Sequence, residues 1–129
     1  MYSHPEVVLD QWLNGVNSGN LNGVLDLYAE EAVLMPTFSN QIRTTREEIA
    51  NYFQMVAQNG TVIVEVVQDS LVVQPLSGQS YSLVGVYNWT LGSGANERHF
   101  RVRFTFTVDL GREQPIVHHH SSAFPEPAS

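Results

Sequence analysis

Residues 98–110 read RHFRVRFTFTVDL, and this stretch decides the fold because its side chains alternate in character along the chain. In an extended strand, successive side chains point to opposite faces of the sheet. One face then carries only apolar residues: Phe100, Val102, Phe104, Phe106 and Val108. The other face carries His99, Arg101, Arg103, Thr105 and Thr107. The pattern predicts a β-strand whose two faces meet different surroundings.

The segments around this strand predict further strands. Residues 61–74 are rich in valine, and residues 80–91 form another run of strand-forming residues. Gly111-Arg112-Glu113 is typical of a hairpin turn, which leads into a final strand that begins at Ile116. The second half of the chain therefore predicts an antiparallel meander.

The first half of the chain has the spacing of helices. Val8, Trp12 and Val16 recur at helical intervals, and a short second helix is expected to include Tyr28. A third helix follows a predicted capping box between Thr44 and Glu47. Its apolar stripe is Ile49, Tyr52, Phe53 and Val56. Helices followed by antiparallel strands predict an α+β domain over residues 1–129, with a loose tail from about residue 127.

Both faces of the predicted sheet lack the dense charge of a solvated surface. In residues 80–91, one face is aromatic and aliphatic, and the other includes Val84, Val86 and Asn88. A sheet covered on one side normally shows charged residues on the other. The helices can cover one face, so a second copy of the chain is the simplest cover for the other. We therefore expect a homodimer or a larger ring.

The composition limits the possible partners. The net charge is −7, and the six basic residues are all arginine, which disfavours a broad grip on nucleic acid. Cysteine is absent, which removes thiolate chemistry and disulfides. No segment has the apolar length of a membrane span or the pattern of a signal peptide, so we expect a cytoplasmic protein. Gly92-Ser93-Gly94 joins two strands and opens no helix, so no phosphate loop or cofactor is expected.

Two clusters of side chains admit more than one interpretation. Arg101 and Arg103 fit either a carboxylate-binding pair or an exposed face with ion pairs to Glu65 or Asp69. His118 and His120 share a face, and with His99 they could hold a metal, but no local carboxylate or cysteine completes the set. Histidines hydrogen-bonded in a subunit contact or a pocket wall are the simpler interpretation, and we predict no metal.

Acid–base catalysis is a third possibility. A pocket in such a fold can place a carboxylate base beside a tyrosine or histidine donor. The candidates are Asp69, Glu65, Tyr87 and His119, but their spacing singles out none of the carboxylates.

Several motifs together resemble the association (hub) domain of calcium/calmodulin-dependent protein kinase II and its stand-alone bacterial relatives, within the nuclear transport factor 2-like superfamily. The motifs lie in order along nearly the whole chain: Trp12, residues 17–20, residues 25–28, residues 32–39, residues 43–45, residues 103–106, residues 116–122 and Pro125. The resemblance implies a cone-shaped, cystatin-like fold, in which three N-terminal helices pack on a curved, mainly antiparallel sheet. It also implies self-association through the sheet and a pocket at the open end of the cone.

The resemblance also implies residues of the pocket. In the hub domain of the kinase, arginines from the last three strands line the pocket and can hold a carboxylate ligand. By motif Arg103 corresponds to one of them, whereas Asn88 and Ser121 stand where the other two would be. Strand parity assigns His119 and Ser121 to the pocket beside Arg103, and His118 and His120 to the opposite face. The predicted ligand-binding residues are Arg103, Asn88, His119, Ser121, Tyr52 and Thr105.

The function expected from the sequence is therefore self-association, with a polar pocket that binds a small organic molecule, such as a carboxylate, without catalysis. The alternative is a small isomerase, cyclase or dehydratase that uses a pocket histidine or carboxylate as a general base. Analogy between folds alone supports that alternative.

Overall fold

The computed structural model describes residues 2–125. The elements, in chain order, are α1 Pro5–Ser18, α2 Leu21–Leu25, β1 Tyr28–Met35, α3 Arg46–Ala57, β2 Val62–Val66, β3 Val72–Pro75, β4 Ser80–Leu91, β5 Arg98–Asp109 and β6 Ile116–Ala123. The predicted order of three helices followed by a meander of strands is confirmed, with β1 between α2 and α3, and the domain is α+β. The predicted loose tail from about residue 127 lies outside the described residues.

The strands form one curved sheet in the order β1-β6-β5-β4-β2, and β3 also pairs with β4. The long hairpin of β4 and β5 is its centre, with pairs from Ser80↔Asp109 to Leu91↔Arg98. β1 runs parallel to β6, and every other pairing is antiparallel. The sheet is therefore mainly antiparallel, as the sequence predicts.

The sheet has an inner face, which packs against the helices, and an outer face on the opposite side. Trp12 of α1 lies between Tyr87 and Phe106 of the inner face, with ring centroids 5.8 and 5.3 Å away. The apolar residues of β5 named above lie on this inner face, where Val102, Phe104, Phe106 and Val108 are all buried. Burial of these large side chains between helix and sheet is the main source of stability.

A polar clamp joins α1 to the edge of the sheet. Asn17 accepts a hydrogen bond from the backbone N–H of Val64 at 2.6 Å and donates one to its carbonyl at 3.0 Å. β2 ends the sheet order on this side, so the Asn17 amide takes the place of a missing strand at Val64. The clamp fixes the distance between α1 and the sheet.

Local boundaries differ from the sequence predictions in three places. α3 begins one residue later than expected, because Thr45 and Glu48 form the capping box. Tyr28 lies in β1 and not in the second helix, which ends at Leu25. The predicted single strand over residues 61–74 is two strands that both pair with β4, because Asp69 has a positive φ of 66° that interrupts the pairing between them.

No helix in the described part of the chain has the length and apolar character that a membrane crossing needs.

Candidate functional site

A chain of hydrogen-bonded side chains lies inside the cone, between α1, β1 and the inner face of the sheet. The Trp12 indole donates to the Tyr28 hydroxyl at 3.0 Å, and the Tyr28 oxygen lies 2.7 Å from Nδ1 of His119. On the other side of the imidazole, Nε2 lies 3.2 Å from both the Tyr87 hydroxyl and the Ser121 hydroxyl. Tyr87 and Ser121 also form a close hydrogen bond with each other. We call these five residues the inner network.

The directions of these bonds follow from what each group can do. The Trp12 N–H can only donate, so it occupies a lone pair of the Tyr28 oxygen. Within the described residues, His119 Nδ1 is the acceptor that remains for the Tyr28 proton. Nδ1 is therefore unprotonated, and the imidazole carries its proton on Nε2, from which it donates to Tyr87 or Ser121. This arrangement holds His119 as one neutral tautomer.

The surroundings of His119 favour the same neutral form. The side chain is 2% exposed, and its ring stacks on Phe106 with centroids 3.8 Å apart. Burial lowers the pKa of His119 well below its usual value, and the neighbouring His118 and His120 lower it further. The unfolded chain therefore binds a proton more readily than the folded one. Stability from this group is present above the usual histidine pKa and is lost as the pH falls toward the folded value.

One end of the cone, where β1 meets the segment before α3, carries an arginine that the sequence did not single out. Arg43 is held beside β1 by two backbone hydrogen bonds with Leu34, at 2.9 and 2.8 Å. Its guanidinium lies 5.7 Å from the centre of the Tyr52 ring and donates to the Glu48 carbonyl and the Ser39 hydroxyl. In the described part of the chain it forms no ion pair. Arg43 thus brings a positive charge to this end of the cone without a carboxylate to balance it.

Phe38 lies across the same end. Its ring packs edge-on against Trp89 and Phe100, with centroids 5.3 and 5.1 Å away. Burial raises the pKa of Tyr52 to about 12, although the Phe38 backbone and the Arg43 charge oppose that rise. Phe38, Arg43, Tyr52 and Trp89 are therefore neighbours, and together with Thr37 we call them the cone mouth.

The cone mouth contains buried polar atoms that lack partners among the described residues. They are Arg43 Nε, Thr37 Oγ1 and Trp89 Nε1, the last of which lies near the Tyr87 hydroxyl without a well-aligned hydrogen bond. Trp89 and Arg43 can only donate hydrogen bonds, and a hydroxyl can donate as well. A buried donor left unpaired costs about 1–3 kcal/mol, so these groups favour an acceptor from outside the chain.

The predicted site residues do not lie together. His119, Ser121 and Tyr52 are buried on the inner side of the sheet. Arg103, Asn88 and Thr105 lie on the outer face. The prediction that Arg103 stands beside His119 and Ser121 is wrong, because the strand opposite Ser121 presents Phe104, and Arg103 pairs with Ser122. One step along a strand exchanges the two faces.

The prediction for the histidine run itself agrees with the structure. His119 points inward, and His118 and His120 point outward. Arg103 and His120 instead line a depression of about 410 Å³ on the outer face. Within residues 2–125, no three histidine or acidic side chains cluster closely enough to hold a metal ion.

Most of the polar residues that the sequence did not predict for the site lie outside the last three strands. Tyr28 was expected on a helix, and Arg43 was only the residue before a helix. Trp12 had been identified as a packing residue on a helical stripe, whereas Tyr52 was predicted for the pocket as well. Strand alternation could have found the inner side chains, since Tyr87 and Trp89 share the parity of the apolar face. No local signal brings Arg43 to Tyr52, since their approach depends on the bridge between Leu34 and Arg43.

Solved structures with the same fold define the class of this protein as a cystatin-like, nuclear transport factor 2-like cone. A candidate dehydratase of the nuclear transport factor 2-like family from Streptomyces avermitilis is 12% identical, with a TM-score of 0.80, over 94% of each chain. A cystatin-like protein from Caulobacter vibrioides is 9% identical, with a TM-score of 0.77, over 93% of this chain and 87% of that one. At these identities the likeness shows the fold alone.

Sequence comparison gives the family. Residues 6–125 match the calcium/calmodulin dependent protein kinase II association domain. A candidate protein of that kind from Xanthomonas campestris is 34% identical, with a TM-score of 0.83, over 95% of this chain and 86% of that one. The chain belongs to the calcium/calmodulin-dependent protein kinase II association domain family. No curated protein matches it.

The inner network predicts a large effect of one hydroxyl. Tyr28→Phe leaves the Trp12 N–H and His119 Nδ1 buried without partners, so we expect it to lower the free energy of unfolding by about 2–4 kcal/mol. Tyr81→Phe is the matched control, because Tyr81 is only partly buried. Its hydroxyl makes no hydrogen bond in the described part of the chain, and its loss should cost less than about 0.5 kcal/mol. Urea unfolding measures both, and equal losses would contradict the network.

Proposed function

We propose that this protein is a self-associating domain, which pairs through the outer face of its sheet and binds a small hydrogen-bond-accepting molecule at the cone mouth. The family is named for association, which supports the first half of the proposal. The unpaired donors at the cone mouth support the second half. A cytoplasmic location is part of the same proposal.

The outer face has the composition of a surface that another protein covers. Val72 and Val84 pair with each other across β3 and β4, and they are 59% and 38% exposed. Val86, Thr105 and Thr107 continue this neutral surface across the centre of the sheet. The helices occupy the other side, so a second copy is the cover that needs no further partner. A two-fold axis would then bring the same patch of each copy together.

A charge placed in this patch should separate the copies. Val84→Glu puts a carboxylate at the centre of the proposed interface, where burial without a partner is unfavourable. We expect it to weaken self-association at least about tenfold, as measured by sedimentation velocity. Ile42→Glu is the control, because Ile42 is 53% exposed and lies outside the sheet.

Circular dichroism should show that both variants keep the parent fold. If the parent sediments as a monomer at every concentration, or if Val84→Glu associates as strongly as Ile42→Glu, the proposed interface is wrong.

The ligand proposal rests on the chemistry of the cone mouth. Arg43 supplies a positive charge, Trp89 and Thr37 supply neutral donors, and Tyr52 keeps its proton at any physiological pH. Phe38 and Trp89 form apolar walls. Donors of this kind, with one charge and aromatic walls, fit a small organic carboxylate.

Binding is better supported than acid–base catalysis. The alternative needs a carboxylate inside the cone beside a tyrosine or histidine. Among the described residues, the buried polar side chains on the inner face of β6 are His119 and Ser121. Both nitrogens of His119 already have partners. The dehydratase in the comparisons shares only the fold at 12% identity, so it does not bring an activity to this chain.

The two arginines give a matched test of the ligand proposal. Arg43→Gln removes the charge at the cone mouth and should weaken binding of small aliphatic and aromatic carboxylates about 10- to 100-fold. Trp89→Phe removes one neutral donor and should weaken it about fivefold. Arg103→Gln removes the same charge from the outer face and should leave the affinity unchanged. Isothermal titration measures all three, and loss of binding in Arg103→Gln but not in Arg43→Gln would contradict the site.

A further inference from the structure

Two histidines lie on the outer face beside the arginines of β5. His118 is partly buried, and His120 is exposed. Their neighbours across the strands are uncharged: Thr107 and Thr105 on β5, and Val33 and Met35 on β1. On β5, Arg103 lies diagonally across from His120. Residues in such diagonal pairs are typically about 7–8 Å apart.

In the described part of the chain, the acidic groups on the surrounding strands, including exposed Glu30 of β1, form no ion pair with the two histidines. Asp109, at the end of β5, accepts a hydrogen bond from the Gly111 N–H. On the β1 side, Glu31 forms an ion pair with Arg112. Glu65 lies on β2, at the opposite edge of the sheet, where it pairs with Asn88. Glu97 is paired with His99. Within the described residues, neither His118 nor His120 forms an ion pair with a carboxylate.

We propose that protonation of His118 and His120 controls self-association through the outer face. This inference rests on the proposed function, since it concerns the same interface. As neutral groups, the two imidazoles can be buried against a second copy. As cations they resist burial, and the copies separate.

Two physical effects act in the same direction. A charged imidazole loses its hydration when the interface forms, and no carboxylate on its own chain compensates for that loss. A two-fold interface also brings equivalent patches together, so the cations of one copy approach those of the other. Arg101 and Arg103 already place positive charge on this face, and protonated histidines would add to it. Each copy contributes two imidazoles, so four protonated imidazoles would oppose the association of a dimer.

The pKa of His118 supports the direction of the switch. Burial lowers this pKa below its usual value, and the neighbouring His120 lowers it further. The residue is thus neutral at physiological pH, and covering it with a second copy lowers its pKa again. Association is therefore strongest above the usual histidine pKa and weakens as the pH falls through that of the free protomer.

The test is sedimentation velocity of the full chain at about pH 7.5, 6.5 and 5.5. We expect the dissociation constant of the parent to rise about tenfold or more over this range. The double variant His118→Gln/His120→Gln should change less than about threefold. His4→Gln is the matched control, because His4 is exposed at the start of α1. It should follow the parent. Near-ultraviolet circular dichroism at each pH checks that the fold persists, because protonation of buried His119 would destabilise the fold itself.

A second measurement does not depend on the histidine variants. Nuclear magnetic resonance titration should give a lower pKa for His118 in the associated parent than in the parent diluted until it is monomeric. A dimer with the same dissociation constant at every pH, or an equal His118 pKa in both states, would overturn the switch and leave the interface intact. A parent that is monomeric throughout would overturn the interface itself, and the switch with it.

Discussion

The hydrogen bonds of His119 are the constraint on which the rest of this structure depends. A histidine that is 2% exposed and stacked on Phe106 is stable only if both of its nitrogens are paired. Tyr28 of β1 pairs with one nitrogen, and Tyr87 of β4 and Ser121 of β6 pair with the other. The indole N–H of Trp12 in α1 fixes the direction in which these hydrogen bonds run. One imidazole therefore ties the first helix, the first strand and two strands of the meander into a single arrangement.

The strand register that pairs both nitrogens of His119 also places the two proposed functional surfaces on opposite faces of the sheet. Because Ser121 is opposite Phe104, the even-numbered residues of β5 face the helices and Arg103 faces outward. The inner side is then left with neutral polar groups, and the charge at the cone mouth comes from Arg43, next to β1. The outer side holds a neutral centre with arginines and histidines beside it. Ligand binding and self-association are thus proposed for opposite faces of the same strands.

The sequence predicted the fold well and the site only in part. Alternation in residues 98–110 was enough to identify an apolar face, and the histidine run divided between the faces as parity required. Arg103 was misplaced because a motif gives the position of a residue in the chain but not the face on which a strand presents it. Arg43 was missed because its approach to Tyr52 depends on a single bridge to Leu34, far from any periodic pattern. Residues 61–74 form two strands because of the backbone conformation at Asp69, and the valine-rich sequence gives no sign of that conformation.

The most direct test of this account is the protonation state of His119. Nitrogen-15 resonance of histidine-labelled protein distinguishes the two neutral tautomers from the imidazolium. We predict that His119 shows the Nε2–H tautomer and remains neutral well below the usual histidine pKa while the fold persists, because burial lowers its pKa. An imidazole that titrates near its ordinary pKa, or one that is protonated on Nδ1, would contradict the inner network and the placement of the strands that depends on it.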